Sequence, residues 1–228
     1  MTARHVALPV VLVLATALAT LAHSAEPSAA PAAIALPAAK TDGNVSVEKA
    51  LAERRSLRTP AATALTLEEV GQLCWAAQGV TDNKGHRTAP SALAVYPLEL
   101  YVIAGAVVGL APGLYRYDPA KHGLMLVTAG DQRTDFEEKG VGQTWIAKAP
   151  VIFVIAGTTD KVAKMKERGP QFMAIEAGLA AQGFFLEATA LGLGSTFVGG
   201  FKPAEARAAL GLPSGQEVLA VLPIGHKP

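Results

Sequence analysis

The spacing of apolar and polar positions changes along the chain and predicts both helices and strands. Ser46 is a predicted N-cap, and Thr66-Leu67-Glu68-Glu69 forms a capping box. The predicted helices are Val47–Arg55, Thr66–Gly79, Asp160–Arg168, Gln171–Leu191 and Pro203–Leu210. The predicted strands are Leu98–Ile103, Leu114–Tyr117, Leu124–Val127, Val151–Ile155 and Glu217–Ile224. Because these elements do not follow a regular βαβ alternation, the predicted fold class is α+β.

The first 43 residues have a different pattern. Arg4 and His5 precede an uncharged apolar run from Val6 to Ala22, and small residues follow it up to Ala25. This is the layout of a secretory signal peptide over residues 1–25, with an uncleaved membrane anchor as the alternative. Residues 26–43 are rich in Ala and Pro and are predicted to be a flexible linker before a domain at 44–228. The expected location is periplasmic or secreted, or membrane-anchored if the leader is retained.

Charge and cysteine content narrow the possible functions. The chain of 228 residues has 20 basic and 19 acidic residues and no basic block, so nucleic acid is not an indicated partner. The single cysteine, Cys74, lies in an apolar helical stretch, where a buried structural thiol is favoured over a nucleophile. The five histidines are scattered, and no metal site is predicted.

The loop from Arg87 to Glu99 is a candidate ligand wall. Pro90 and Pro97 stiffen its two ends, and the small residues between them would let a flat ligand approach the main chain. Ser91 adds a hydroxyl group. The stretch is either an ordinary turn or a rigid wall for a planar ring such as a flavin.

Two further segments contain candidate ligand-binding residues. Arg54-Arg55-Ser56-Leu57-Arg58 places three guanidinium groups at a helix end, as a phosphate site or as a solvated terminus that offsets the helix dipole. Gly192–Phe201 is rich in glycine, so its backbone N–H groups could face a ligand, or it could be a plain helix stop followed by a strand. It lacks the spacing of a dinucleotide fingerprint.

The helix predicted at Gln171–Leu191 has an almost smooth side made of alanine and glycine. Small residues let backbones approach closely, which suits either a central buried helix or a dimer interface. Glu176 is polar on this otherwise apolar helix, and a buried carboxylate there needs a partner, such as a neighbouring loop.

Together, seven segments resemble the FMN-dependent nitroreductase family, and within it the SagB-type (thiazole/oxazole-forming) dehydrogenases. The resemblance covers about residues 47–226. The segments that carry it are Arg54–Arg58, Trp75–Val80, Arg87–Glu99, Gly113–Pro119, Ile175–Gln182, Ala190–Phe201 and Leu222–Gly225. It implies a central mixed, mostly antiparallel sheet flanked by helices, in a homodimer with FMN at the interface.

The resemblance also implies roles for individual residues. The FMN phosphate and ribityl chain would be held by Arg54, Arg55, Ser56 and Arg58. The partner subunit would reach the flavin with Pro90, Ser91, Ala92, Leu93 and, nearby, Tyr96. The flavin ring would lie at Val198, Gly199 and Gly200, with the Gly199 N–H near N5. Variable segments at Thr128–Trp145 and Thr158–Gly169 would form the acceptor side.

The implied activity is ping-pong hydride transfer through flavin N5 to a small acceptor, with no side chain required as acid or base. Possible donors include NAD(P)H, although flavin loading after export leaves the natural donor open. A non-catalytic flavin-binding protein and an azoline-type peptide dehydrogenase are the alternatives. Two departures from the family pattern imply weaker FMN binding: Ala94 replaces a common Asn, and Lys227 is the basic residue after the last strand where many members have Lys-x-Arg.

Overall fold

A seven-stranded sheet forms the centre of the domain in the computed structural model, which describes residues 1–2 and 33–228. The strands are β1 (Ile34–Ala35), β2 (Leu98–Ala104), β3 (Gly113–Asp118), β4 (Gly123–Ala129), β5 (Val151–Thr158), β6 (Leu193–Ser195) and β7 (Gln216–His226). Their order is β1-β4-β3-β2-β5-β7-β6, and every ladder is antiparallel. Outside these strands, the described residues form two isolated parallel bridges, Leu65–Val107 and Ser56–Ser195, and the second of them lies at the β6 edge.

Six α-helices accompany the sheet within the described residues. They are α1 (Val47–Glu53), α2 (Leu67–Gln78), α3 (Arg133–Asp135), α4 (Thr159–Val162), α5 (Gly169–Ala190) and α6 (Pro203–Ala209). The predicted N-cap and capping box are confirmed: the Ser46 hydroxyl accepts from Lys49 N, and Thr66 and Glu69 bond each other reciprocally. None of the described helices has the length and hydropathy needed to cross a bilayer.

Both faces of the sheet are buried, and β5 shows why its sequence is continuously apolar. Val151, Phe153 and Ile155 face the core formed with α2 and α5. The alternate residues of the same strand face a second core, formed with Phe136 and α6. Since a strand covered on both sides has no solvent face, its sequence has no polar alternation.

The long helix α5 is the main support of the first core. Phe184 is fully buried and meets Phe153 edge to face, with 4.9 Å between ring centroids. Cys74 on α2 is also fully buried, and this burial raises the pKa of its thiol, so the predicted structural role is confirmed. The other side of α5 is exposed, at Ile175 and Leu179 among others.

The stretch predicted as a linker departs in part from that prediction. Ile34–Ala35 pairs with β4, and Leu36 is buried in the core. The Gln72 carboxamide accepts from Lys40 N and donates to Lys40 O, both at 2.9 Å. Residues 33–40 therefore pack onto the domain, because side chains distant in sequence satisfy their backbone. The predicted leader, apart from residues 1–2, lies outside the described residues, as do residues 26–32 of the linker.

The charged helix predicted at Asp160–Arg168 is also shorter than expected. The α-helix ends at Val162, and a 3₁₀ segment continues over Ala163–Arg168. Lys166 interrupts this segment with φ +52°, which breaks the helical hydrogen-bond pattern. Strand β1 and a π-helix at Phe136–Val141 are further elements that the sequence pattern did not predict. Strand β6 is the strand after a helix stop that the sequence left open as an alternative.

Candidate functional site

The arginine-rich segment joins the outer strand of the sheet. It follows α1 directly, and Leu57 N donates to Ser195 O at 3.0 Å. Gly194 lies under the Leu57 side chain, where a Cβ atom would clash. Ser195 is itself fixed, because its hydroxyl donates to Pro223 O at 2.8 Å. The guanidinium groups therefore start from a backbone that is anchored to β6.

The three arginines have different local partners. Arg55 Nη1 donates to Ala52 O and Arg54 O, each at 2.8 Å, so this side chain covers the last carbonyls of α1. Within the described residues, no carboxylate forms an ion pair with Arg54, Arg55 or Arg58. The helix-terminus interpretation thus suits Arg55, whereas Arg54 and Arg58 carry positive charge that an external anion could neutralise.

The glycine loop follows the same strand. Val198 is buried and exchanges two backbone hydrogen bonds with Val221, at 2.9 and 3.0 Å. The exposed Gly199 comes next, and its N–H has no acceptor among residues 33–228. Gly199 lies four residues after Ser195, so it is at most about 14 Å from the anchor of the arginine segment. The structure thus brings these two predicted groups to one edge of the sheet.

A cavity of about 450 Å³ opens beside Gly200. Its walls come from the π-helix, Gly142 and the start of α6, and its charged residues are Glu138, Lys139, Lys202 and Glu205. Gln143 ties the two walls together, since its Nε2 donates to Gly200 O at 3.2 Å. Of the two segments expected on the acceptor side, Thr128–Trp145 contributes to this cavity and Thr158–Gly169 does not.

The loop that follows Pro90 has an unusual backbone. Leu93, Ala94 and Tyr96 all have left-handed conformations, with φ of 55°, 53° and 45°. Each such residue other than glycine carries a cost of order 1 kcal/mol. Leu93 is 86% exposed, so burial of its side chain does not compensate for the strain. Strain without local compensation is typical of a functional loop.

The hydrogen bonds of this loop leave two donors available. Ala94 N and Val95 N donate to carbonyls within the loop, and Tyr96 N donates to Ser91 Oγ at 2.9 Å. Within the described residues, the N–H groups of Ser91 and Leu93 have no acceptor. The Ser91 hydroxyl oxygen holds the loop itself together, and its proton remains free to be donated.

Glu176 has the hydrogen-bond partner that the sequence pattern predicted for it. It is only 4% exposed, and its Oε1 accepts from Ala92 N at 2.8 Å. The expectation that this carboxylate bonds a neighbouring loop is confirmed. Sequence reasoning did not identify the specific contact, because Glu176 and Ala92 are 84 positions apart.

The strained loop and the arginine segment do not meet within one subunit. The loop is held at Glu176, whereas β6 begins just after α5 ends at Ala190. Glu176 and Ala190 are 14 positions apart on α5, which is about 21 Å along the helix axis. A single ligand that touches both groups would need the loop from one copy of the chain and the arginines from another.

Known proteins are similar to this chain over most of its length. The model of the nitroreductase family matches residues 51–226. A Methanocaldococcus jannaschii protein named as a nitroreductase is 36% identical over 184 residues, covering 80% of this chain and 92% of that protein. A Ralstonia eutropha structure, also named as a nitroreductase, has a TM-score of 0.76 and 29% identity over 86% of this chain and 90% of that chain.

A more distant structure has the same fold. NADPH:FMN oxidoreductase from Vibrio harveyi, complexed with NAD⁺, has a TM-score of 0.57 at 19% identity, over 79% of this chain and 68% of that chain. The family model spans well over half of the present sequence and nearly all of the described domain. The chain belongs to the nitroreductase family.

Proposed function

We propose that this protein is an FMN-dependent oxidoreductase of the nitroreductase type. The observation that carries the proposal is the pair Arg54 and Arg58, which lack carboxylate partners among residues 33–228 and share a sheet edge with the open Gly199. Family membership supports it, and the Vibrio harveyi protein of the same fold is named for FMN.

The residues present suit the parts of FMN. Arg54 and Arg58 would pair with the phosphate, and the exposed Ser56 hydroxyl would donate to it or to the ribityl chain. Val198 would fix the loop that offers Gly199 N–H to the ring edge, while Gly200 leaves the main chain uncovered. Bound FMN would supply two-electron redox chemistry. The chain's own contribution is to bind and orient it and to leave one open cavity for donor and acceptor in turn, which corresponds to ping-pong kinetics.

The same proposal includes a homodimer. One side of α5 is exposed and consists of small or apolar residues flanked by two glutamines: Gln171, Ala174, Ile175, Gly178, Leu179 and Gln182. Val47 and Leu51 are exposed on α1, which packs against α5. An unpartnered apolar helix face of this kind fits a second copy of the chain. Across that contact, Pro90, Ser91, Ala92, Leu93 and Tyr96 of one subunit would meet the flavin of the other.

Two finer parts of the proposal rest on the sequence. The seven segments named above support placement in the SagB-type subgroup. The apolar run after Arg4 supports export to the periplasm or beyond, with flavin loaded after export.

Anaerobic spectroscopy separates an enzyme from a flavin carrier. We expect NADH or NADPH to bleach the visible absorption of the FMN-loaded protein, and a quinone or nitroaromatic acceptor to restore it. Dithionite provides the control that the bound flavin can be reduced. An FMN-loaded protein that neither nicotinamide reduces, and that no such acceptor reoxidises after dithionite, would instead be a non-catalytic flavin-binding protein.

A further inference from the structure

The loop from Ser91 to Tyr96 cannot hold its conformation by its own contacts alone. Three of its residues have left-handed φ, and its most apolar side chain, Leu93, is almost fully exposed. A strained segment persists only where surrounding structure imposes it. Side chains outside the loop must therefore hold it in this conformation.

Two side chains from distant elements hold the loop at its two ends. On α5, the buried Glu176 carboxylate accepts from Ala92 N. On α4, Lys161 Nζ donates to Tyr96 O at 3.2 Å and to Glu99 Oε1 at 3.0 Å, so it is itself fixed by an ion pair. Arg87 lies over the Tyr96 ring, 4.6 Å from its centroid.

The Glu176 contact is the more consequential of the two. Its carboxylate is almost completely buried and forms no ion pair within the described residues, so Ala92 N–H is its principal stabilising contact. Lys161 is more exposed, and water can replace its bond to Tyr96 O. The next residue of the loop is Leu93, whose N–H is available to a ligand.

We propose that Glu176 is a positioning residue for flavin binding in the partner subunit: it holds Ala92 so that Ser91 and Leu93 present their N–H groups across the dimer interface. This inference rests on the proposed function, since it requires FMN and a homodimer. Glu176 does not touch the cofactor of its own subunit. It acts through the loop, about 21 Å along α5 from the end that adjoins β6.

Substitutions of Glu176 test the contact. E176A removes the acceptor, and we expect FMN affinity to fall about ten- to a hundredfold, as for the loss of one hydrogen bond to a charged group. E176Q keeps an oxygen that can accept from Ala92 N and should bind FMN within a few-fold of the wild type. E176A/A92P removes the acceptor and the donor together, so neither group of this contact is left buried without a partner. The extended backbone of Ser91, with ψ 138°, accommodates a following proline, so E176A/A92P should match E176A in FMN affinity and covers the case in which E176A does not fold.

Mixing subunits gives a readout that a general loss of stability cannot produce. E176A subunits have intact arginines and a defective loop, whereas R54A/R58A subunits have the reverse. In their heterodimer, one site combines the intact arginines of the first with the intact loop of the second. Random exchange of equal amounts should restore tight FMN binding to about a quarter of all subunits, which is one site in each heterodimer.

The outcomes distinguish the two levels of the proposal. If the wild-type protein does not bind FMN, the proposed function fails. If the wild type binds FMN and R54A/R58A does not, but E176A and E176A/A92P retain wild-type affinity, only the role of Glu176 is overturned. Failure of exchanged heterodimers to regain tight sites would also overturn it, because the loop would then act within its own subunit or only through stability.

Discussion

Replacing Arg54 and Arg58 together by alanine is expected to weaken FMN binding by roughly 100- to 20,000-fold. A hydrogen bond to a charged group contributes about 1.5–3 kcal/mol, and two are lost, which gives about 3–6 kcal/mol in total. The effect should be large because no carboxylate of the described residues competes for either guanidinium. Quenching of flavin fluorescence on titration measures the affinity directly.

Matched controls distinguish the loss of specific phosphate contacts from a general effect of net charge on FMN affinity. K84A/K121A removes two positive charges from exposed positions whose side chains form no bonds within residues 33–228, and it should leave FMN affinity unchanged. Arg55→Ala should lower FMN affinity less than Arg54→Ala or Arg58→Ala does, since the Arg55 side chain is already bonded to carbonyls at the end of α1. Wild-type affinity in R54A/R58A would refute the phosphate site.

Replacing Ile175 and Leu179 together by glutamate is expected to convert the proposed dimer to monomers and thereby to weaken FMN binding. Both residues are exposed on α5, at 51% and 45%, one helical turn apart. Burying one such side chain contributes about 1.5–3 kcal/mol, and a two-fold interface counts each residue twice. The substitutions also introduce four negative charges at the contact. Light scattering measures the mass, and circular dichroism checks that the subunit remains folded.

The control for this variant is V108E/V127E. It introduces the same charges at two exposed valines, on the β2–β3 connection and on β4, away from α5. We expect this variant to remain dimeric and to bind FMN normally. A dimeric I175E/L179E protein would place the interface elsewhere. A monomer that binds FMN as tightly as the wild type would show that the site is complete within one subunit.

Local sequence signals predicted much of the fold. The caps at Ser46 and Thr66 act within three residues, so their hydrogen bonds are visible in the sequence itself. The apolar run at Val151–Ile155 lies in a strand that is covered on both faces, and its continuously apolar composition indicates that burial. The arginine and glycine segments are also local patterns, and the bridge Ser56–Ser195 brings them to one edge.

What the sequence did not predict depends on contacts between distant positions. Residues 33–40 look like a linker, yet Gln72 satisfies the Lys40 backbone, and His122 bonds Pro37 O at 2.8 Å. The break at Lys166 follows from a single left-handed residue that composition does not reveal. The different local partners of the arginines are likewise set by geometry, because only the structure shows that Arg55 donates to the carbonyls of Ala52 and Arg54 at the end of α1.

Whether this chain binds FMN is decided by one titration. The purified protein, incubated with FMN and then desalted, should retain the visible absorption of oxidised flavin and saturate at one FMN per subunit, with inorganic phosphate competing. A protein that is folded by circular dichroism, stays colourless after this treatment and does not change flavin fluorescence would contradict the claim.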